Sequence, residues 1–403
     1  MLNLVSPASV GLNPKQLDRI APHLNRYVDE GKLPGYLVMV ARHGQPAYLR
    51  TYGLCDVENH KPVAEDTIFR IYSMTKPITS VAIMQLYERG LFQLDNPISK
   101  FIPAFKDLRV FATGDAANYE TVAAARPVTF RDLLTHTAGF AYGTSTAHVV
   151  DQVYRDRQVL TGTLEEMVQK LSELPLLFNP GARWSYSLAT DILGYLVEVI
   201  SGQPLDAYFA EQILGPLGME DTAFYVPDAK AERFAANYGY HQGGMRLIDG
   251  AANSATYRQP PTFRSGGGGL VSTVQDYFRF AQMLLNKGEL EGVRILGRKT
   301  VELMTMNHMP NNGDLSSMGM PVFSEMPYDG IGFGLGFSVM LNPAKAQILG
   351  SPGEYAWGGA ASTAFWIDPV EEQIVIFLTQ LMPSSSYPIR RELRVLTYGA
   401  IEA

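Results

Sequence analysis

At 403 residues the chain exceeds the size at which a single hydrophobic core stops growing, so one large domain with an insertion, or two domains, is expected. With 46% apolar and 18% charged residues it is a globular chain with ample core material, which excludes a disordered or fibrous protein. A formal net charge of -7 leaves no basic surplus to neutralise phosphates, so neither nucleic acid nor an anionic membrane is expected as a partner, and a small uncharged substrate fits better.

Asn13-Pro14 supplies an N-cap and a proline at the first helical position, Leu17, Ile20, Leu24 and Val28 follow at helical spacing, and Gly31 stops the run. One amphipathic helix is predicted there. Tyr36 to Ala41 and Ala47 to Tyr52 are apolar runs around Arg42-His43-Gly44-Gln45, which predicts a β-hairpin. Cys55 is the only cysteine, so no intrachain disulfide and no cysteine-based zinc site can form, and a buried free thiol is expected. Between about 99 and 230 helical patterns predominate: Thr129 to Leu134, Thr163 to Leu174, and Asp191 to Ile200 ending at Ser201-Gly202. Two stretches read as loops, Ala112 to Pro127, rich in small residues, and Met309 to Pro327, long enough to shape a pocket. Gly334 to Leu341, Thr363 to Ile367 and Gln373 to Thr379 read as strands, and Arg390 to Ile401 as a closing helix.

The fold class expected is therefore mixed α/β (α+β): an antiparallel sheet built from both ends of the chain and flanked by helices, plus a mainly helical insertion. Residues 1–98 and 231–403 are assigned to the sheet domain and 99–230 to the helical one, with an active site between them. No apolar run approaches the roughly 20 residues of a membrane span, and the N-terminus lacks a basic region followed by an apolar one, so a cytoplasmic protein is expected.

Ser73-Met74-Thr75-Lys76 opens an apolar helix, and residues three apart share a helix face, so hydroxyl and amine are within reach of each other. Serine is a poor nucleophile until a neighbour accepts its proton, and lysine can do so only if its pKa of about 10.4 falls by some 3 units, roughly 4 kcal/mol. The same tetrapeptide also suits a helix N-cap with a solvated lysine. A second element, Asn179-Pro180-Gly181-Ala182-Arg183-Trp184-Ser185-Tyr186, is a turn able to present the Tyr186 phenol. No serine has glycines at both second positions, as a nucleophile elbow requires, and no His-Glu-x-x-His occurs, so neither a metal nor another cofactor is expected. His136 reads as a residue that orients a loop, or as one supporting a catalytic group. Gly266 to Gly269 lack the following Lys-Ser or Lys-Thr of a phosphate cradle and read as a site of close backbone packing.

In this order, Phe69 to Lys76, Leu133 to Gly139, Asn179 to Ser187, Pro216 to Thr222 and Ser265 to Leu270 resemble motifs of the class C β-lactamase and penicillin-binding-protein superfamily, especially its family VIII esterases. The resemblance implies an acyl-enzyme on Ser73, with Lys76 and Tyr186 sharing proton transfer; either could be the base. In β-lactamases of this kind an asparagine stands two positions after the tyrosine; here that residue is Leu188. Where the family carries Lys-Thr-Gly, this chain has Trp357-Gly358-Gly359 followed by Ala360. An indole in place of a cation removes attraction for an anionic substrate and favours an uncharged ester, with short acyl groups preferred. The resemblance places the oxyanion hole at the amides of Ser73 and Ala360, and substrate contacts at Trp357, Gly358, Gly359 and Tyr142. A carboxylesterase of small ester substrates is the expectation. The alternatives are a β-lactamase or D-alanyl-D-alanine peptidase, an acyltransferase, and a non-catalytic scaffold of the same fold.

Overall fold

In the computed structural model, which describes residues 2–145, 148–319 and 328–402, an eight-stranded antiparallel sheet is flanked by helices. Its strands are β1 (Gly35–Arg42), β2 (Gln45–Asp56), β3 (Lys61–Pro62), β4 (Ile331–Phe333), β5 (Ser338–Met340), β6 (Tyr355–Gly358), β7 (Ala364–Asp368) and β8 (Gln373–Leu378). The order across the sheet is β4-β5-β6-β7-β8-β1-β2-β3, so early and late segments of the chain meet where β1 pairs with β8, Val38 opposite Phe377 and Val40 opposite Val375.

Every residue of β1 is buried, and the period-2 alternation of a strand sends its side chains to two different cores. Tyr36, Val38 and Val40 pack with Ile20 and Leu24 of α1 (Ile20–Asp29) and with the late residues Ile389 and Leu393. Leu37, Met39 and Ala41 belong to the larger core of α2 (Thr75–Glu88), α3 (Ala189–Ser201) and α4 (Val274–Leu285). A strand covered on both faces favours apolar residues, which is why Tyr36 to Ala41 form an unbroken apolar run, while the buried Arg42 at its end donates to the carbonyls of Val10 and Gly11; each buried apolar side chain contributes about 1.5–3 kcal/mol. The closing helix, α5, spans Ile389–Tyr398.

Between the two parts of the sheet lie α3 and the shorter helices Phe130–Leu134, Val149–Asp156, Leu164–Ser172 and Leu205–Phe209. Thr129 and Thr163 start two of these with reciprocal capping boxes, each accepting from the third helical amide while Asp132 or Glu166 accepts from the cap amide. Among the described residues no helix is long and apolar enough to cross a membrane.

Three local expectations are corrected. The first helix is two, Pro14–Leu17 and Ile20–Asp29, because the Arg19 amide turns to Gln16 O three residues back and tightens the ladder at the break. The region from 112 is not a plain loop. Arg109–Gly114 pairs with Tyr119–Ala123, and Asp115 Oδ1 closes the turn by accepting from the amides of Ala117 and Asn118 at 2.9 and 2.8 Å. Of the strand expected over 334–341 only β5 (Ser338–Met340) forms; 334–337 make the turn from β4, in which Gly336 has φ 101° and the Gly334 amide donates to Phe337 O. Of the expected pocket loop, residues 320–327 lie outside the described residues, and 309–319 form a short turn and the helix Leu315–Met318.

Candidate active site

Ser73 sits in the tight turn Tyr72–Met74 that leads into α2. Tyr72 has φ 43°, a left-handed conformation that costs a bulky residue about 1–3 kcal/mol and persists only where surroundings hold it. They do so here: Ile71 N donates to Leu270 O at 3.1 Å, and the Tyr72 phenol accepts from Asn237 Nδ2 at 2.8 Å. From Thr75 to Leu86 every residue of α2 is buried, so the nucleophile candidate is carried on the most enclosed helix of the fold's larger core.

One turn along, Lys76 is only 2% exposed, which rules out the solvated-lysine reading. Its Nζ donates to Gly267 O at 2.5 Å and to Ser73 Oγ at a longer 3.4 Å. It lies 4.6 Å from the ring centre of Tyr186 and 5.5 Å from that of Tyr142. Tyr186 precedes α3 and is held by its neighbours: the Ser185 amide donates to His136 O at 2.9 Å, Tyr142 stacks on the ring at 5.4 Å, and His136 packs against it at 4.9 Å. Across the site, Trp357 Nε1 donates to the Tyr186 hydroxyl at 3.4 Å. Thus Ser73, Lys76 and Tyr186, from segments more than a hundred residues apart, meet at one point.

The electrostatics bear on the choice between Lys76 and Tyr186 that the sequence left open. Burial pulls the Lys76 pKa down, but the phenols of Tyr142 and Tyr186 and the carboxylate of Asp191 outweigh it, and the ammonium is held above its ordinary range. A lysine needed as a free-amine base would have to move the other way. Burial, aided by the Lys76 charge, holds His136 well below the usual histidine range, so it is neutral; its Nδ1 lies 3.2 Å from Ser187 Oγ. Burial pushes Tyr142 up to about 12 despite the opposing pull of Lys76.

A cleft of about 380 Å³ opens above this cluster, and Ser73, Tyr142, Tyr186, Trp357, Gly358, Gly359 and Ala360 all line it. That size suits a small-molecule ligand. Lys76 lies beneath the floor rather than on the lining. The two glycines are required by close approach to backbone: a Cβ on Gly358 would lie 2.8 Å from the Thr363 carbonyl oxygen, and one on Gly359 would collide with the Ile71 carbonyl just before the Ser73 turn. Two cations border the cleft. Arg394 is ion-paired with Glu354, and Arg390 donates to the carbonyls of Gly359 and Thr363 at 2.9 and 2.8 Å. Leu188 is fully buried in the larger core and does not reach the cleft.

The glycine-rich stretch packs as the sequence suggested. Gly266 approaches Thr190 and Gly194 of α3, and Gly267 lies so close to Asp191 that a Cβ would come within 2.5 Å of its carboxylate. The sequence alone did not single out Asp191; its signal is an acid in the first turn of α3 that lies buried among the apolar residues Ile192, Leu193 and Leu196.

A family model described as Beta-lactamase matches residues 20–399. Protein Rv1367c of Mycobacterium tuberculosis is 35% identical over 374 residues, covering 92% of this chain and 91% of its own. Esterase EstB of Burkholderia gladioli is 31% identical over 421 residues, covering 98% of both chains. Among solved structures, EstCE1, described as a hydrolase with promiscuous acyltransferase activity, superposes with a TM-score of 0.79 at 27% identity, covering 96% of this chain and 99% of its own.

Proposed function

The chain belongs to the Beta-lactamase family, and from that premise we propose that it is a serine carboxylesterase acting on uncharged, short-acyl esters through an acyl-enzyme on Ser73. The observation that carries this reading is the buried contact of Ser73, Lys76 and Tyr186 beneath an aromatic cleft, with Trp357 where the resemblance would put a lysine. The esterase named among the relatives supports it.

Because Lys76 is held protonated, Tyr186 is the base of the proposal and Lys76 the cation that stabilises its phenolate. The phenolate takes the Ser73 proton as Oγ attacks the ester carbonyl carbon, and the amides of Ser73 and Ala360 receive the developing oxyanion. Tyr186 returns the proton to the leaving alkoxide. Water entering the vacated half of the cleft then gives Tyr186 a proton as its oxygen attacks the acyl carbon; when the bond to Ser73 Oγ breaks, Tyr186 returns that proton to Oγ, releasing the acid and regenerating Ser73 and the phenolate. Ser73→Ala is expected to abolish hydrolysis of p-nitrophenyl butyrate; retention of most activity sinks the assignment.

A second reading, acyl transfer to an alcohol instead of water, is favoured by the acyltransferase activity named for EstCE1 and by the apolar walls of the cleft. New esters formed when alcohols are added to the assay would identify it. Turnover of the β-lactam nitrocefin is expected to be far slower than that of the ester, since Leu188 and Trp357 replace the groups that recognise a β-lactam in the resembling enzymes.

A further inference from the structure

Asp191 stands in the first turn of α3, 1% exposed, and is not part of the cleft lining. Its Oδ1 accepts from Ser265 Oγ at 2.5 Å and from the Gly267 amide at 3.0 Å. The other end of that residue faces the opposite way: Gly267 O accepts from Lys76 Nζ at 2.5 Å. The adjacent carbonyl, Gly266 O, is held by Thr79 Oγ1 at 2.6 Å, one turn beyond Lys76 on the same helix. The segment is therefore stitched to α3 on one side and to α2 on the other, with an anion at one edge and the ammonium at the other.

We propose that Asp191 is the positioning residue for Lys76, acting through the Gly267 residue that it clamps. The inference rests on the reading of Ser73, Lys76 and Tyr186 given above. The approach is close: a Cβ at 267 would collide with the Asp191 carboxylate, so a glycine is what lets the segment lie against α3 with Gly267 O under Lys76. Chemistry gives it a purpose. A buried ammonium loses hydration and needs acceptors and a counter-charge. Gly267 O supplies an acceptor, and Asp191 supplies a counter-charge that does not compete for Ser73 because it never enters the cleft. The groups facing Lys76 are Tyr142 and Tyr186 from the cleft side and Asp191 from α3, all of which favour its charged form, while the nearby His136 is neutral. Burial raises the Asp191 pKa, and Lys76, Ser265 and the Gly267 amide each oppose that rise, so the carboxylate and the ammonium support one another.

The test uses Asp191→Asn, which keeps an acceptor oxygen in place while removing the charge, in the full chain. Activity is expressed per Ser73 titrated with a serine-reactive phosphonate, so that unfolded protein is not counted. The expected result is a fall in kcat per titrated site of about tenfold, one pKa unit of lost electrostatic support, with the alkaline limb of the pH–rate profile displaced to lower pH by about the same unit. KM is expected to stay within about twofold, because Asp191 does not touch the cleft. Wild-type kcat per site with an unmoved alkaline limb overturns the proposal, as does a loss confined to the number of titratable sites. Should Asp191→Asn fail to fold, Ser265→Ala decides: it removes one donor from the carboxylate and is expected to shift kcat and the limb in the same direction by a smaller amount, an unchanged profile refuting the role. An active Ser73→Ala would instead refute the underlying reading, so the two failures are distinguishable.

Discussion

Tyr186→Phe separates the phenol's chemistry from its packing. The substitution removes one oxygen and keeps the ring, whose contacts with Tyr142 at 5.4 Å, His136 at 4.9 Å and Trp357 at 5.4 Å remain available. What is lost is the acceptor for Trp357 Nε1, a long contact at 3.4 Å, and one of the groups that stabilise the Lys76 charge. A hydrogen bond to a charged group is worth about 1.5–3 kcal/mol, so stability is expected to fall by about that much. For a chain of 403 residues the unfolding entropy converts this to roughly 2–4 °C in Tm, leaving the protein folded at 25 °C. Loss of a general base costs about 10²–10⁴ in kcat, roughly 2.7–5.4 kcal/mol of transition-state stabilisation, with little change in KM. p-Nitrophenyl butyrate hydrolysis, a thermal melt and phosphonate titration on the same preparation measure all three quantities. A variant that melts within a few degrees of wild type yet retains more than about a fifth of its kcat refutes Tyr186 as the base.

Two further outcomes follow from buried charge. Arg394 and Glu354, 7% and 2% exposed, form an ion pair that also engages the Tyr398 hydroxyl, so Arg394→Met is expected to cost about 3–5 kcal/mol in urea unfolding by stranding the carboxylate, and adding Glu354→Gln to recover part of it. No recovery in the double variant would show that the loss comes from packing against Trp366 instead. His136 is held neutral by burial, its folded pKa lying well below 6.5, so as pH drops through that value the unfolded chain takes up a proton that the folded chain refuses. Its effect on stability is thus absent above that pH and grows more unfavourable below it, by up to about 1.4 kcal/mol per pH unit. His136→Gln is expected to flatten the decline between pH 6.5 and 5.5 by about 1 kcal/mol; identical slopes in urea unfolding of the two proteins would contradict this.

Much of the sheet was legible because β1, β7 and β8 are covered on both faces and so leave unbroken apolar runs, and the capping residues Thr129 and Thr163 marked two helix starts within one residue. The hairpin over Arg109–Ala123 was hidden because it is mostly exposed and its turn is closed by one side chain, Asp115, rather than by a hydrophobic pattern. At the site, the spacing of Ser73 and Lys76 fixed their proximity but not the sign of the lysine's pKa shift, which depends on Tyr142, Tyr186 and Asp191 arriving from elsewhere in the chain. Asp191 acquires its meaning only from Gly267, 76 positions away, a separation that local pattern does not span.

The pairing of β1 with β8 also bears on how the molecule comes into being. Val40 and Val375 lie some 335 positions apart, and closing so long a stretch of chain carries an entropic cost of about 5 kcal/mol by the logarithmic loop law. Contacts of such range slow folding, since their cost falls before their reward. During synthesis Ser73 leaves the ribosome some 280 residues ahead of β6 with Trp357 and of the strands that complete the sheet beside β1. A product truncated before β6 would thus hold Ser73 with no cleft around it and expose the inner edge of β1, apolar from Tyr36 to Ala41, with an unpaired row of amides and carbonyls that invites aggregation. Enclosure of Ser73 and protection of β1 from aggregation therefore arrive together, once β6 to β8 have been made.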